Sequence, residues 1–142
     1  MYFDDISLNK SVDIEPVRIE KDKMLEFARE YDHIPLHTDE EYAKTTHFGA
    51  LIAPGVMSFM SVWSKYLERD FIGKELIAGQ SIKIVWHKPV FAEDVLTGRA
   101  VVTGLEKRNE KNGLVEITVS VHNQNGEIVL KNIVEAVVKR RQ

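Results

Sequence analysis

Two residues able to exchange protons flank a proline in the first third of the chain. Asp32 and His37 lie on either side of Pro35 in one short loop. A carboxylate and an imidazole held together in this way can share general acid and base catalysis at a carbonyl compound. Gly55 follows at the start of a long apolar segment, where the first amides of a helix have no partner within it. We interpret Asp32, His37 and Gly55 as candidate catalytic residues.

Structural roles are the alternative for the two side chains. Asp32 could cap a loop, and His37 could hold the turn beside it through a hydrogen bond. Metal binding by His33, His37, His47 or Asp39 is conceivable from residue type alone, but their spacing matches no recognised metal site. We therefore expect neither a metal nor a cofactor.

A helix is predicted immediately before the loop. Apolar residues recur at helical spacing from about residue 22 to residue 31, namely at Met24, Phe27, Ala28 and Tyr31. The residue before a proline disfavours helical backbone, so Ile34-Pro35 prevents continuation of this helix. Asp32 should then occupy a helix C-terminus, where the macrodipole disfavours a negative charge.

A second, short helix is predicted after the loop. Thr38 and Glu41 have the spacing of a capping box, which indicates a helix over roughly 39–44. His37 precedes this cap and should be held by it. Gly49 and the tripeptide Ala53-Pro54-Gly55 indicate turns.

The next segment is apolar on almost every side of a helix of about four turns. Its apolar residues are Val56, Met57, Phe59, Met60, Trp63, Tyr66, Leu67 and Phe71. A helix of this kind is expected to be buried on most sides.

Alternation with a period of two indicates strands in the second half of the chain. The runs cover 82–86, 95–105, 115–121 and 128–138, and His87 and His122 are interpreted as ordinary residues of these strands. Asn112-Gly113 and Asn125-Gly126 predict tight hairpins. An earlier extended segment over 12–19, interrupted by Pro16, suits a sheet edge. We predict an α+β fold, with an antiparallel meander wrapped around the long helix.

Composition narrows the class of protein. The 142 residues fit one domain over 1–142, and the net charge of −3 argues against nucleic-acid binding. The chain has no cysteine, which excludes disulfides and thiolate nucleophiles. Neither a signal peptide nor a membrane-length apolar window is present, so a cytoplasmic location without a membrane partner is the default expectation.

The loop resembles the signature of the MaoC-like dehydratases, whose best-known members are (R)-specific enoyl-CoA hydratases. That signature reads Asp-x-Asn-Pro, a branched apolar residue and His, and residues 32–37 here read Asp-His-Ile-Pro-Leu-His. The resemblance covers the chain from about residue 12 onward. It includes Tyr42-Ala43, Thr45-Thr46-x-Phe48, Ala53-Pro54-Gly55, Gly79-Gln80-Ser81, Lys88-Pro89-Val90-Phe91 and Glu93-Asp94.

The resemblance implies a hot-dog fold, in which the sheet wraps around the long central helix. It also implies pairing into a homodimer or a dimer-based homo-oligomer through edge strands, and an acyl-CoA substrate. Asp32 and His37 match the family's catalytic pair. The family's asparagine is replaced by Ile34, so the support of the loop must differ.

Further departures fall around the long helix and affect the predicted substrate contacts. Pro54 precedes the helix-start glycine, where relatives often carry histidine. Trp63 occupies a position where relatives frequently carry a serine facing the site, so its ring should reshape and shorten the acyl pocket. We predict that Pro54, Val56, Met60 and Trp63 contact the substrate.

The favoured function is a hydratase/dehydratase that interconverts 2-enoyl and (R)-3-hydroxyacyl thioesters. In this hypothesis Asp32 and His37 hold one water, and the amide of Gly55 or Val56 stabilises the enolate oxygen. A thioesterase on the same fold is an alternative, although the long helix offers serines rather than the carboxylate usual in such enzymes. A non-catalytic subunit that binds acyl thioesters is a third candidate.

Overall fold

The computed structural model describes all 142 residues, which form one antiparallel sheet and four α-helices. The helices are α1 (Lys21–Tyr31), α2 (Pro35–Thr38), α3 (Glu40–Lys44) and α4 (Gly55–Glu68). The strands are β1 (Ser11–Arg18), β2 (Leu76–Trp86), β3 (Val95–Lys107), β4 (Asn112–His122) and β5 (Ile128–Lys139). Short 3₁₀ turns cover Phe3–Asp5 and Gly73–Glu75. None of the helices is long and apolar enough to cross a membrane.

The strand order is β1-β3-β4-β5-β2, and every neighbouring pair is antiparallel. The predicted meander is confirmed for β3, β4 and β5 but is wrong for β2, which pairs with β5 instead of β3. Because β1 and β2 form opposite edges, the segment between them crosses one face of the sheet. The long helix α4 lies in this segment and packs on β1 and β3. This arrangement is the α+β, hot-dog architecture expected from the sequence.

The edge position of β1 is confirmed. The strand pairs only with β3, and its register shifts between Ile14 and Val17, beside Pro16. Proline lacks an amide donor, so an irregularity at a sheet edge accommodates it without breaking a central ladder.

One of the two predicted hairpin turns is confirmed. Asn125-Gly126 forms the β4–β5 turn, where Gly126 has a φ of +74° and Asn123 accepts backbone N–H bonds. Asn112-Gly113 begins β4 instead, and Asn109 organises the preceding turn by accepting the amides of the two residues before Gly113. Gly113 is required because the Phe3 ring occupies the space of a Cβ.

The long helix is buried on one side only, contrary to the sequence prediction. Met57, Val62 and Tyr66 are buried against the sheet, while Val56, Met60 and Leu67 on other sides are exposed by 46–56%. Phe71 lies beyond the helix end and packs edge-on against Tyr66. The apolar pattern thus reflects two surfaces, of which only one is covered within the chain.

The predicted capping box at Thr38 is wrong. Thr38 ends α2 and its hydroxyl donates to the Ile34 carbonyl at 3.1 Å. Asp39 is the N-cap of α3, and its carboxylate accepts the Tyr42 amide at 3.0 Å. Residues 35–38 form a separate helical turn, since a proline suits the first helical position.

We expect Asp39→Ala to lower the free energy of unfolding by about 1 kcal/mol, because the first amides of α3 lose their acceptor. Thr38→Ala is the control and should change it by less than about 0.5 kcal/mol. Urea unfolding followed by circular dichroism measures both. If Thr38→Ala lowered the free energy of unfolding more than Asp39→Ala, Thr38 would be the cap and this assignment would be contradicted.

Candidate active site

Asp32 and His37 converge across a single turn of chain. Asp32 ends α1, where its amide donates to the Ala28 carbonyl at 2.9 Å and its backbone (φ −152°, ψ 64°) leaves the helical region. His37 lies in the one-turn helix α2. The Asp32 Oδ2 and His37 Nε2 atoms are 3.4 Å apart.

The His37 imidazole is buried and its orientation is fixed. Its Nδ1 lies 2.7 Å from the Ile52 carbonyl oxygen. A carbonyl can only accept, so Nδ1 carries the proton, and Nε2 of the neutral ring is an acceptor. The His37 side chain is 8% exposed, whereas that of Asp32 is 43% exposed.

A short bridge fixes the carbonyl that holds His37. Ile52 pairs with Phe91 in an isolated antiparallel bridge, and the Ala53 amide donates to the Val90 carbonyl at 2.7 Å. The loop before α4 and the loop before β3 therefore support each other. The predicted support of His37 by a Thr38 cap is replaced by this backbone contact.

A cavity of about 450 Å³ opens beside the pair. The loop before α4, the first turn of α4 and the end of β2 form its walls. The lining residues outside the pair are Phe48, Ile52, Ala53, Gly55, Val56, Ser58, Trp86, His87, Lys88, Pro89 and Val90. The cavity is mainly apolar with a few converging polar groups, as is common for small-molecule sites.

The start of α4 contributes backbone donors to this cavity. The first helical hydrogen bond runs from the Ser58 amide to the Pro54 carbonyl at 3.2 Å. The amides of Gly55, Val56 and Met57 precede it and have no acceptor within the helix. Gly55 and Val56 both line the cavity, so this helix end can stabilise a developing negative charge there.

Gly55 is needed for packing against an aromatic ring. A Cβ at this position would overlap the Trp86 indole, with Cζ2 only 2.8 Å away. In the structure the Trp86 ring already occupies that space.

The predicted substrate contacts are divided between two surfaces. Val56 lines the cavity, whereas Met60 and Trp63 do not; they line an adjoining apolar depression of about 480 Å³ that Val56 shares. Pro54 is buried at the N-cap of α4 and lines neither surface. Substrate contact by Pro54, Met60 and Trp63 stays a prediction.

Sequence reasoning missed several residues of the cavity. His87, interpreted as an ordinary strand residue, lines it together with Trp86 and Ser58. The alternation in β2 could indicate which residues share a face. It could not indicate that the end of β2 lies beside the start of α4, since that contact is set by the pairing of β2 with β5.

The only charged side chain of the cavity wall besides Asp32 is Lys88, which forms an ion pair with Glu127. This contact lowers the pKa of the Glu127 carboxyl from its ordinary value. The chain contains no group of three or more His, Asp or Glu side chains arranged to hold a metal ion.

Comparison with known proteins assigns the family. The family model described as "MaoC like domain" matches residues 6–125. The chain therefore belongs to the MaoC-like dehydratase family, as the resemblance at residues 32–37 indicated.

The relatives agree with this assignment. An uncharacterized Bacillus subtilis protein, YdeM, is 27% identical over 99% of this chain and 100% of its own length. An (R)-specific enoyl-CoA hydratase from Aeromonas caviae is 33% identical over 76% of this chain and 75% of its own. The structure of an Archaeoglobus monoamine oxidase regulatory protein superimposes with a TM-score of 0.93 at 29% identity, covering 100% of this chain and 96% of that one.

We expect Gly55→Ala to lower the free energy of unfolding by about 1 kcal/mol, because the new methyl displaces the Trp86 ring. The same change in a Trp86→Ala background should be neutral or stabilising, since alanine is the better helix former. A double-mutant cycle by urea unfolding measures the coupling. Equal effects of Gly55→Ala in both backgrounds would show that this contact is not the reason for the glycine.

Proposed function

We propose that this protein adds water to 2-enoyl thioesters and removes it from (R)-3-hydroxyacyl thioesters. The proposal rests mainly on one observation: Asp32, His37 and the start of α4, whose first amides lack helical acceptors, line the same cavity. Membership of the MaoC-like family and similarity to proteins named (R)-specific enoyl-CoA hydratases support it. The (R) stereochemistry rests on this similarity alone.

The pair is suited to hold one water molecule. The neutral His37 Nε2 and the Asp32 carboxylate are both acceptors, so they cannot satisfy each other. A water on the cavity side of both atoms can donate one hydrogen to each and keep a lone pair free. In the proposed reaction that lone pair attacks C3 of the enoyl group.

The proton balance follows from this arrangement. The new C3–O bond forms as the pair removes one proton from the water, and the π electrons move to the thioester oxygen. The same pair returns a proton to C2, which gives the 3-hydroxyacyl thioester without a net change in the protein. The reverse sequence is the dehydration.

We propose that the enolate oxygen of the substrate binds at the start of α4. Gly55 and Val56 line the cavity, and their amides lack acceptors within the helix. Donors fixed in advance cost no reorganisation when the negative charge forms, so they favour the transition state over the ground state.

The adjoining depression is the proposed binding surface for the acyl chain of the substrate. Val56 lies on the border between the cavity and the depression lined by Met60 and Trp63, which offers an apolar path for an acyl chain. We assign the acyl group to this path and the carrier, coenzyme A, to the open side near Lys88.

The proposed reaction needs no cofactor. A cytoplasmic location and one domain over 1–142 stay predictions.

A second copy of the chain is the proposed partner. The apolar face, defined here as Val56, Met60 and Leu67 on α4 with Ile82 and Trp86 on β2, is exposed by 46–56%. The β2 strand is also a sheet edge with one unpaired side. A homodimer that covers both features is consistent with the hydrophobic character of obligate interfaces, and it would also close over the proposed acyl path, which lies on the same face.

We expect Asp32→Asn and His37→Asn each to lower kcat for crotonyl-CoA hydration by roughly 10²–10⁴-fold. His33→Asn is the matched control, because this exposed neighbour does not line the cavity and should retain wild-type turnover. Loss of enoyl absorbance and release of free thiol are followed together.

The two signals separate the candidate functions. Loss of enoyl absorbance without thiol is the predicted result. Release of thiol would indicate a thioesterase. Near-normal hydration by Asp32→Asn would refute the role of the pair.

We expect the wild-type chain to sediment as a dimer at micromolar concentration, and Leu67→Glu or Ile82→Glu to shift it toward monomer. A buried carboxylate without a partner opposes association. Leu8→Glu is a control of equal charge, since Leu8 is 55% exposed and lies outside the apolar face. Sedimentation equilibrium measures the molar mass of the wild type and the variants. A monomeric wild type would contradict the proposed homodimer.

A further inference from the structure

Ser58 places a hydroxyl group in the catalytic cavity. It lies in the first turn of α4, is only 1% exposed, and lines the same cavity as Asp32 and His37. The other serines of α4, Ser61 and Ser64, do not line this cavity. Ser58 is thus the one serine of the helix that faces the proposed chemistry.

The Ser58 hydroxyl has no hydrogen-bond partner in the protein. Ser61, one turn further along, donates to the Met57 carbonyl at 2.8 Å, which is the ordinary solution for a serine inside a helix. Ser58 makes no corresponding bond to Pro54. Ser58 lines the cavity and its hydroxyl makes no bond within the protein, so that hydroxyl is free to donate to a ligand bound there.

The helix geometry places this hydroxyl beside the free amides. Ser58 is three residues after Gly55, so the two lie on the same face of α4. Side chains of an α-helix lean toward its N-terminus, which brings the Ser58 hydroxyl over the turn that carries the Gly55 amide.

We propose that Ser58 donates a second hydrogen bond to the thioester carbonyl oxygen, next to the backbone amide of Gly55. The inference rests on the proposed hydration. As water adds to C3, negative charge moves to that oxygen, while the Ser58 O–H bond stays intact. A hydrogen bond to a charged oxygen is stronger than one to a neutral carbonyl, so Ser58 acts mainly in the transition state.

The kinetic test compares Ser58→Ala with Ser61→Ala. Loss of an oxyanion donor should lower kcat of Ser58→Ala by about 10²-fold with little change in KM. Ser61→Ala should keep wild-type kinetics. Stability gives an internal check: because the Ser58 hydroxyl makes no bond within the protein, Ser58→Ala should leave the melting temperature nearly unchanged. Wild-type kcat in Ser58→Ala would overturn the proposal.

An infrared measurement tests the contact itself. Butyryl-CoA carries the same thioester but has no double bond to hydrate, and a ¹³C label isolates its carbonyl stretch. On binding to the wild type the stretch should move to lower wavenumber, and Ser58→Ala should lose part of that shift while Ser61→Ala retains it. An equal shift in Ser58→Ala overturns the proposal.

The two measurements distinguish this proposal from the proposed function. A wild type that shifts the butyryl-CoA carbonyl but does not hydrate crotonyl-CoA would refute the hydration, and the Ser58 contact would still be judged by the infrared comparison. A wild type that neither binds butyryl-CoA nor hydrates crotonyl-CoA would overturn both.

Discussion

The hydrogen bond between His37 Nδ1 and the Ile52 carbonyl oxygen is the constraint on which the site depends. It fixes both the ring orientation and the tautomer, because a carbonyl accepts and never donates. In the neutral ring Nε2 must then accept, and it lies 3.4 Å from a second acceptor, the Asp32 carboxylate. In the proposed mechanism these two acceptors hold one water by its two hydrogens, which leaves its lone pair for attack.

The fold supplies this constraint through elements that are distant in sequence. The Ile52 carbonyl is held by the bridge to Phe91, and the start of α4 follows two residues after Ala53. The end of β2 brings Trp86 onto Gly55 and closes the opposite wall. Asp32 and His37, the proposed acid–base pair, are therefore close in sequence, while the start of α4 and the cavity walls depend on how the sheet packs around α4. A loop alone could not build this cavity.

Much of the fold could be predicted from periodicity, and the failures have physical reasons. The alternation in the four later runs and the helical spacing of α1 and α4 gave the correct elements. Pairing order was not available, since no local pattern specifies that β2 joins β5. The burial of α4 was overestimated because an apolar residue pattern does not distinguish a face covered by its own sheet from one left for a partner. Thr38 and Asp39 were both possible N-caps of α3. Asp39 is the cap because α2 continues through Thr38 and the helical backbone breaks at Asp39.

The tautomer of His37 is the most direct test of the account. In ¹⁵N-labelled protein near neutral pH, imidazole nitrogen shifts distinguish a protonated ring nitrogen from an acceptor, and comparison with His37→Asn identifies the signals. The account predicts a protonated Nδ1 and an acceptor Nε2. A neutral ring with its proton on Nε2 would contradict it, because that hydrogen would point at Asp32 and leave no place for a water held by both groups.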